Sequence, residues 1–346
     1  MTSLLNRRSR ALEIIIVATI VPLFASHGDA QSTELTPYAS TQQLTGVIRT
    51  WGSPQMGDLL KHYEDGFRKV QPSVHFEDAL NSTVSAVAGV YSERADIGLL
   101  GREIWPSEVQ AFESVKGHAP TTIEVATGAY DVPKATYALM IFVHQSNPIK
   151  SLSMEQLDRI FGYAAGRKPV HKWGDLGLKG IWAKREIHLY GFSTENDKAL
   201  IFSRMVFRKS TRWNCDLREY SNASGPPTVD SGELILRDLA KDPSGIGISN
   251  IHYATQDVKV MPLSTLDNEP SVAPTRENIT SRRYPLSRAV YIVFDGNAGH
   301  FVNPIILEFL RYILSSQGQG DVLHDGTYLP LAPSIVEEQR RLLGAP

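Results

Sequence analysis

Residues Asn81 to Glu108, reading NSTVSAVAGVYSERADIGLLGREIWPSE, place hydroxyls, a helix start, a buried strand and an arginine in unbroken succession. Asn81, Ser82 and Thr83 precede Val84, Val87, Ala88 and Tyr91, which recur at helical spacing. Their side chains and the free backbone N–H groups behind them therefore stand at a helix N-terminus, where the macrodipole favours negative charge. After that helix, Ala95 to Leu100 reads as a short buried strand that stops at Gly101-Arg102. Open α/β sheets bind ligands beyond the carboxyl ends of their strands, so Arg102 is the first candidate contact. The chemistry is capture of an anion, and it needs neither a metal nor a cofactor. A plainer reading of the same residues stays open: hydroxyls that only cap a helix, and an arginine paired with Glu103 or Glu108 on the surface.

Other chemistries find little support. There is no nucleophile elbow with ordered Ser, His and Asp, no His-Glu-x-x-His metal pattern and no supported carboxylate pair. His144, His171, His188, His252, His300 and His324 are scattered and read as structural or exposed, and Trp51, Trp105, Trp173, Trp182 and Trp213 read as packing anchors. The lone Cys215 has no partner for an internal disulfide and no metal-ligand spacing, and it is expected to be a buried small hydrophobe. An enzyme is not expected. With 35 Lys and Arg against 37 Asp and Glu, a net charge of −2, neither a nucleic-acid binder nor an anionic-membrane binder is suggested.

The elements that must position the candidate groups alternate along the chain. Arg7, Arg8 and Arg10 precede an apolar run from Ile14 to Ala25, too short for a membrane span, and Gly28-Asp29-Ala30 sets small residues before Gln31. Residues 1–30 are thus expected to be a cleaved secretory signal, leaving an exported soluble protein, with an uncleaved anchor as the plainer alternative. The remainder suffices for two lobes. Val47 to Trp51 reads as a strand broken at Gly52-Ser53-Pro54, then Met56, Leu59, Leu60, Tyr63, Phe67 and Val70 define a helix that Pro72 ends. Ala135 to His144 and Tyr284 to Phe294 are the two long apolar runs, and they read as crossings between lobes. Between them Ser153 and Gln156 form a capping box, with Gly162 placed as a left-handed helix terminator. Ile187 to Tyr190 reads as a further strand, followed by a loop at Gly191 to Glu195 and a helix carrying Ala199, Phe202, Met205 and Val206.

The ordered set of pieces resembles the PstS-like family of phosphate-binding periplasmic solute-binding proteins over nearly the whole chain after the leader. The resemblance rests on Gly52-Ser53, Ala95-Asp96-Ile97 running into Gly101-Arg102-Glu103, and Phe142-Val143-His144 with Asn147-Pro148. It continues through Leu152 to Leu157, Ile160-Phe161-Gly162, Trp173 to Gly177, Gly245 to Ser249, Tyr284 to Arg288, Ser315 to Gln319 and Gly326 to Leu331. It implies a two-lobed α/β fold of the type II periplasmic-binding-protein kind, with two inter-lobe crossings, closing on an oxyanion that is handed to an ABC transporter. The expected lobes are residues 44–134 with 284–346, and residues 140–262, with 263–283 an exposed excursion before the return crossing.

The resemblance also implies ligand positions. Ser53 carries over from the first turn, with Gln55 as a polar substitute where relatives have a hydroxyl, and Ser82 and Thr83 keep two hydroxyls of the second. Arg102 offers a planar bidentate fork. Phosphate binders frequently carry an aspartate where Gly101 stands, able to accept the proton of a protonated phosphate. In the third turn, where they commonly show arginine and then Ser-Gly-Thr, pairing on Phe202 puts Phe192 and Asn196-Asp197-Lys198. A one-turn shift would instead let Ser193 and Thr194 supply hydroxyls. The expected function is a monomeric, non-enzymatic periplasmic receptor for a small oxyanion, phosphate first, with ABC transporter membrane subunits as partners. It would bind no nucleic acid and have no stable membrane insertion after signal cleavage. Glu195, Asp197 and the missing carboxylate at Gly101 motivate the alternative of a receptor or signalling subunit with another ligand.

Overall fold

The computed structural model describes residues 34–40, 42–223, 228–296 and 303–344, which all fall within one compact unit, Glu34–Pro346. The expected signal segment lies outside the described residues. The described strands are β1 Gly46–Gly52, β2 Val74–Ala79, β3 Ile97–Leu100, β4 Thr121–Thr127, β5 Met140–His144, β6 Leu152–Ser153 and β7 Gly162–Tyr163. They continue with β8 His188–Phe192, β9 Arg212–Trp213, β10 Leu217–Tyr220, β11 Gly245–Ser249, β12 Val258–Val260, β13 Leu263–Ser264 and β14 Ala289–Phe294. The helices are α1 Gly57–Val70, α2 Thr83–Tyr91, α3 Pro106–Lys116, α4 Met154–Phe161 and α5 Asp197–Val206. After them come α6 Ser231–Leu239, α7 Arg276–Thr280, α8 Pro304–Ile313, α9 Ser316–Asp325 and α10 Pro333–Leu342.

Two five-stranded sheets make the two lobes. The first has the order β2-β1-β3-β14-β4, with β1 parallel to β2 and β3, and β14 antiparallel to β3 and β4. The second has the order β10-β8-β11-β5-β12, with β8 parallel to β10 and β11, and β5 antiparallel to β11 and β12. In each sheet one strand next to the edge runs against the parallel set, and it is the strand adjoining a crossing, β14 in the first and β5 in the second. The parallel strands therefore deliver their carboxyl ends to one region in each lobe, where sheets of this kind hold ligands.

Local sequence explains the packing. Met56, which caps α1, and Leu59, Leu60, Tyr63 and Phe67 on it are all essentially inaccessible, each apolar side chain contributing on the order of 1.5–3 kcal/mol on burial. Phe67 meets Phe309 with ring centroids 5.2 Å apart, and the Tyr63 hydroxyl donates to the Val125 carbonyl at 2.9 Å, fastening α1 to β4. At the start of α4 the Gln156 N–H donates to Ser153 Oγ and the Ser153 N–H to Gln156 Oε1, both at 3.0 Å. A single packed cluster runs through both lobes by way of Tyr137, Leu139, Tyr284 and Leu286 on the crossings.

Two expectations are corrected. Gly162 is extended, with φ −109° and ψ 164°, because it enters β7 and pairs with Trp213 of β9 instead of ending the helix in a left-handed turn. Cys215 is exposed: the neighbouring Asn214 is the buried residue, its Nδ2 donating to the Ile160 carbonyl at 3.0 Å, which turns the next side chain outward. Within 263–283, residues 265–271, 273, 275–277, 281 and 283 are exposed, while Leu263 and Ser264 are buried beside β6 and Ile279 is buried on α7.

Candidate functional site

A cleft of about 620 Å3 is lined from the first lobe by Ser53, Gln55, Asn81, Ser82, Thr83, Gly101 and Arg102. The second lobe lines it with Asn196, Asp197, Lys198, Asn222 and Asp230, and the crossings with Thr136, Tyr137 and Arg288. Every one of these lobe segments follows a strand end or begins a helix. Gly52 makes the first turn possible: its φ is +144°, and a Cβ there would lie 2.4 Å from the Leu99 carbonyl oxygen. The chain then turns so that the Ser53 N–H donates to that same oxygen at 3.0 Å, leaving the Ser53 side chain buried at the cleft. Ser82 is the N-cap of α2, its Oγ accepting from the Val84 N–H at 3.2 Å, and Thr83 opens the helix beside it. Asn196 caps α5 by accepting from the Lys198 N–H at 2.8 Å, and Asp230 caps α6 by accepting from the Gly232 N–H at 2.7 Å. Helix N-termini from both lobes thus face one space.

Four polar atoms of the lining residues are buried without a protein partner: Ser53 Oγ, Arg102 Nε, Tyr137 Oη and Arg288 Nε. All four can donate a proton, and buried donors left without partners are costly unless a ligand or solvent meets them. Burial raises the Tyr137 pKa well above that of an ordinary phenol, reinforced by the Asp230 charge, so its hydroxyl stays protonated. Around Gly101 the groups crowd closest. An added Cβ would stand 3.2 Å from Ser53 Oγ and 3.2 Å from Thr136 Oγ1, and 3.8 Å from Gln55 Oε1. The Thr136 hydroxyl donates to the Gly101 carbonyl.

Charges line the same space. Arg102, Lys134, Lys198 and Arg288 outnumber Asp197 and Asp230. Arg102 is 3% exposed, and its terminal nitrogens are engaged by Glu108 at 2.9 and 2.8 Å, with one also donating to the Glu103 carbonyl at 3.0 Å. The bidentate grip on a ligand expected of Arg102 is therefore corrected: Glu108 holds the fork, and Nε alone has no protein partner. Arg288 is held more loosely, its Nη2 lying 3.7 Å from Glu103 Oε2. Lys198 lies 3.6 Å from Asp230, and its ammonium stands 5.1 Å from the ring centroids of both Tyr137 and Phe192.

Desolvation lowers the Lys198 pKa, with the Asp230 charge opposing and Arg288 adding to the fall. Below that lowered pKa the ammonium is charged and attracts an anion, and above it the amine is neutral. Anion affinity is accordingly expected to decline on the alkaline side at a lower pH than an ordinary lysine would allow. Lys198→Arg should remove that decline, since a guanidinium stays charged. Titrations run above the pH at which the ligand's own charge stops changing check this, and an identical alkaline limb in the variant would show that Lys198 is not the group responsible.

Ser53, Gln55, Ser82, Thr83 and Arg102 are brought together on the cleft, but Ser193 and Thr194 are not part of its lining. The Ser193 N–H donates to the Tyr220 carbonyl at 2.9 Å and its own carbonyl accepts from Asn196 at 2.8 Å, while the Thr194 N–H donates to Glu219 at 2.8 Å. That turn is used up before α5 begins, so the helix start presents Asn196-Asp197-Lys198, the unshifted pairing on Phe202. Sequence reasoning left Thr136, Tyr137, Lys198, Asp230 and Arg288 out of the candidate set. Lys198 was signalled by that pairing, and Arg288 closes the Tyr284-Pro285-Leu286-Ser287-Arg288 motif. Nothing in the apolar run around Tyr137 marked it as polar lining.

Two α/β lobes joined by two crossings, with helix N-termini turned to the cleft between them, define a bilobal solute-binding protein. The sequence matches the family described as "PBP superfamily domain" over residues 36–317. It is 30% identical over 313 residues to the phosphate-binding protein PstS of Pseudomonas aeruginosa, covering 90% of this chain and 91% of that one. The chain belongs to the PstS family. Its fold is similar to that of PstS from Borrelia burgdorferi, with a TM-score of 0.56 at 15% identity, covering 82% of this chain and 98% of that one. An ABC-type phosphate transport receptor from Vibrio cholerae gives 0.52 at 18% identity, covering 82% and 99%. The Pseudomonas relative is a binding protein by name, and the Vibrio one a transport receptor. Among the described residues no helix is long and apolar enough to cross a membrane.

Proposed function

We propose that this chain is an exported, monomeric receptor that binds inorganic phosphate between its lobes, without catalysis, and delivers it to the membrane subunits of an ABC transporter. The observation that carries the reading is the set of four buried donors without protein partners, Ser53 Oγ, Arg102 Nε, Tyr137 Oη and Arg288 Nε, on a cleft that also holds Lys198. Unpartnered donors contributed by one lobe and both crossings suit a ligand rich in acceptor oxygens, as an oxyanion is. The names of the Pseudomonas and Vibrio relatives point to phosphate and to transport. Residues 1–30 serve as the export signal, and the periplasm is the compartment.

Tyr137→Phe and Ser53→Ala test the reading directly. Each removes a hydroxyl with no protein partner, so each should weaken phosphate binding by roughly two- to tenfold, the worth of a neutral hydrogen bond of about 0.5–1.5 kcal/mol. The thermal midpoint without ligand should hold or rise in Tyr137→Phe. Unchanged affinity in both variants would remove the donor set from the argument.

One observation favours a second reading, a receptor for a fully deprotonated oxyanion such as sulfate. The groups nearest position 101 are hydroxyls and an amide oxygen, and no carboxylate there requires the ligand to carry a proton. Competition of the two anions for the refolded protein separates the readings.

A further inference from the structure

Trp105 stands where the two lobes meet beside the cleft. It is the N-cap of α3 in the first lobe, and its backbone N–H donates to Glu108 Oε2 at 2.8 Å. The same Glu108 holds the fork of Arg102, so Arg102, Glu108 and Trp105 move as one unit. The Arg102 guanidinium lies 4.5 Å from the centroid of the Trp105 ring. A second guanidinium, that of Arg204, lies 4.0 Å from the same ring, and Arg204 belongs to α5 of the second lobe. The helix that brings Arg204 to Trp105 is the helix whose first turn brings Lys198 to the cleft.

Two cations on one indole would repel, but Glu108 neutralises the inner one, leaving the ring face free to attract the outer. We infer that the Arg204–Trp105 contact is an inter-lobe latch, and that Trp105 is a positioning residue setting how fast the cleft releases its ligand. The contact spans the lobes, so it breaks whenever they separate, and it is anchored on the arginine whose Nε serves the anion. The part concerning release rests on the proposed reading that phosphate binds in this cleft. The part concerning the lobes does not.

The test uses the whole chain after the leader, in Arg204→Ala, Arg204→Lys, Trp105→Leu and the Trp105→Leu/Arg204→Ala double variant. Stopped-flow release of phosphate should be about two- to thirtyfold faster in each alanine or leucine variant, the range of an exposed to desolvated cation–π contact. The double variant should be no faster than the faster single one, and Arg204→Lys should fall between Arg204→Ala and the unaltered chain. Small-angle scattering without ligand should give a larger radius of gyration in Arg204→Ala. Additive effects on release, or release unchanged in Arg204→Ala, would overturn the latch, as would an unaltered radius of gyration. Should the unaltered chain bind no phosphate, the functional reading fails while the scattering comparison still decides whether the latch exists.

Discussion

Arg102→Ala should lower the unfolding free energy of the ligand-free protein by about 3–5 kcal/mol, the cost of breaking a buried pair and leaving one charge behind. The guanidinium is 4% exposed and Glu108 14%, so the carboxylate loses its partner where water compensates poorly. The same substitution removes the buried Nε from the cleft and should weaken phosphate binding by roughly ten- to a hundredfold, a charge-assisted hydrogen bond being worth about 1.5–3 kcal/mol. Arg102→Lys keeps a charge near Glu108 but loses both the planar fork and Nε, and it should recover part of the stability and little of the affinity. Denaturant melts without ligand and calorimetric titrations with it separate the two roles. Wild-type stability in Arg102→Ala would show that the Glu108 pair is not structural, and wild-type affinity in Arg102→Lys would remove Nε from the site.

Gly101→Asp should change which anion is preferred. A Cβ at this position meets the Ser53 and Thr136 hydroxyls at 3.2 Å and Gln55 Oε1 at 3.8 Å, all side-chain atoms that can adjust by rotating or yielding slightly. The carboxylate beyond it then stands on the cleft beside Ser53, one of the unpartnered donors. Against a dianion with no proton, such as sulfate, one like charge at about 4 Å costs on the order of 4 kcal/mol for each unit of ligand charge at an effective dielectric of ~20, a thousandfold or more in affinity. Phosphate can carry a proton and donate it to the new carboxylate, so it should lose far less. The ratio of phosphate to sulfate affinity is therefore expected to rise by roughly a hundredfold or more, read from parallel titrations at one pH. If both affinities fall together, or sulfate binding is untouched, position 101 does not face the anion.

Much of the frame was legible because periodicity and capping are local. The α1 stripe from Met56 to Phe67, the Ser153 and Gln156 capping box and the short strand ending at Gly101 are each set by a few neighbouring residues. The site was legible only in part, since its members come from strand ends and crossings far apart in the chain. Ser53, Ser82, Thr83 and Arg102 follow strand ends that the sequence marks, whereas Tyr137 sits in an apolar run whose composition speaks only of burial. The role of Arg102 shows the limit most clearly. Its type suits an oxyanion and a carboxylate equally well, and only the placement of Glu108 at the start of α3 decides where the fork points. Gly162 and Cys215 fail for a related reason: their conformations depend on the β7–β9 pairing and on buried Asn214, neither of which short-range pattern reveals.

The central claim, that this cleft binds phosphate through buried donors, is tested most directly by calorimetric titration of the chain lacking residues 1–30, unfolded, dialysed free of anions and refolded. Unfolding matters because a receptor can retain its ligand through purification. The account predicts saturable binding at one site per chain, with weaker binding in Tyr137→Phe and a marked loss in Arg102→Ala. A refolded protein that takes up no phosphate, or binds it equally well in both variants, would contradict it.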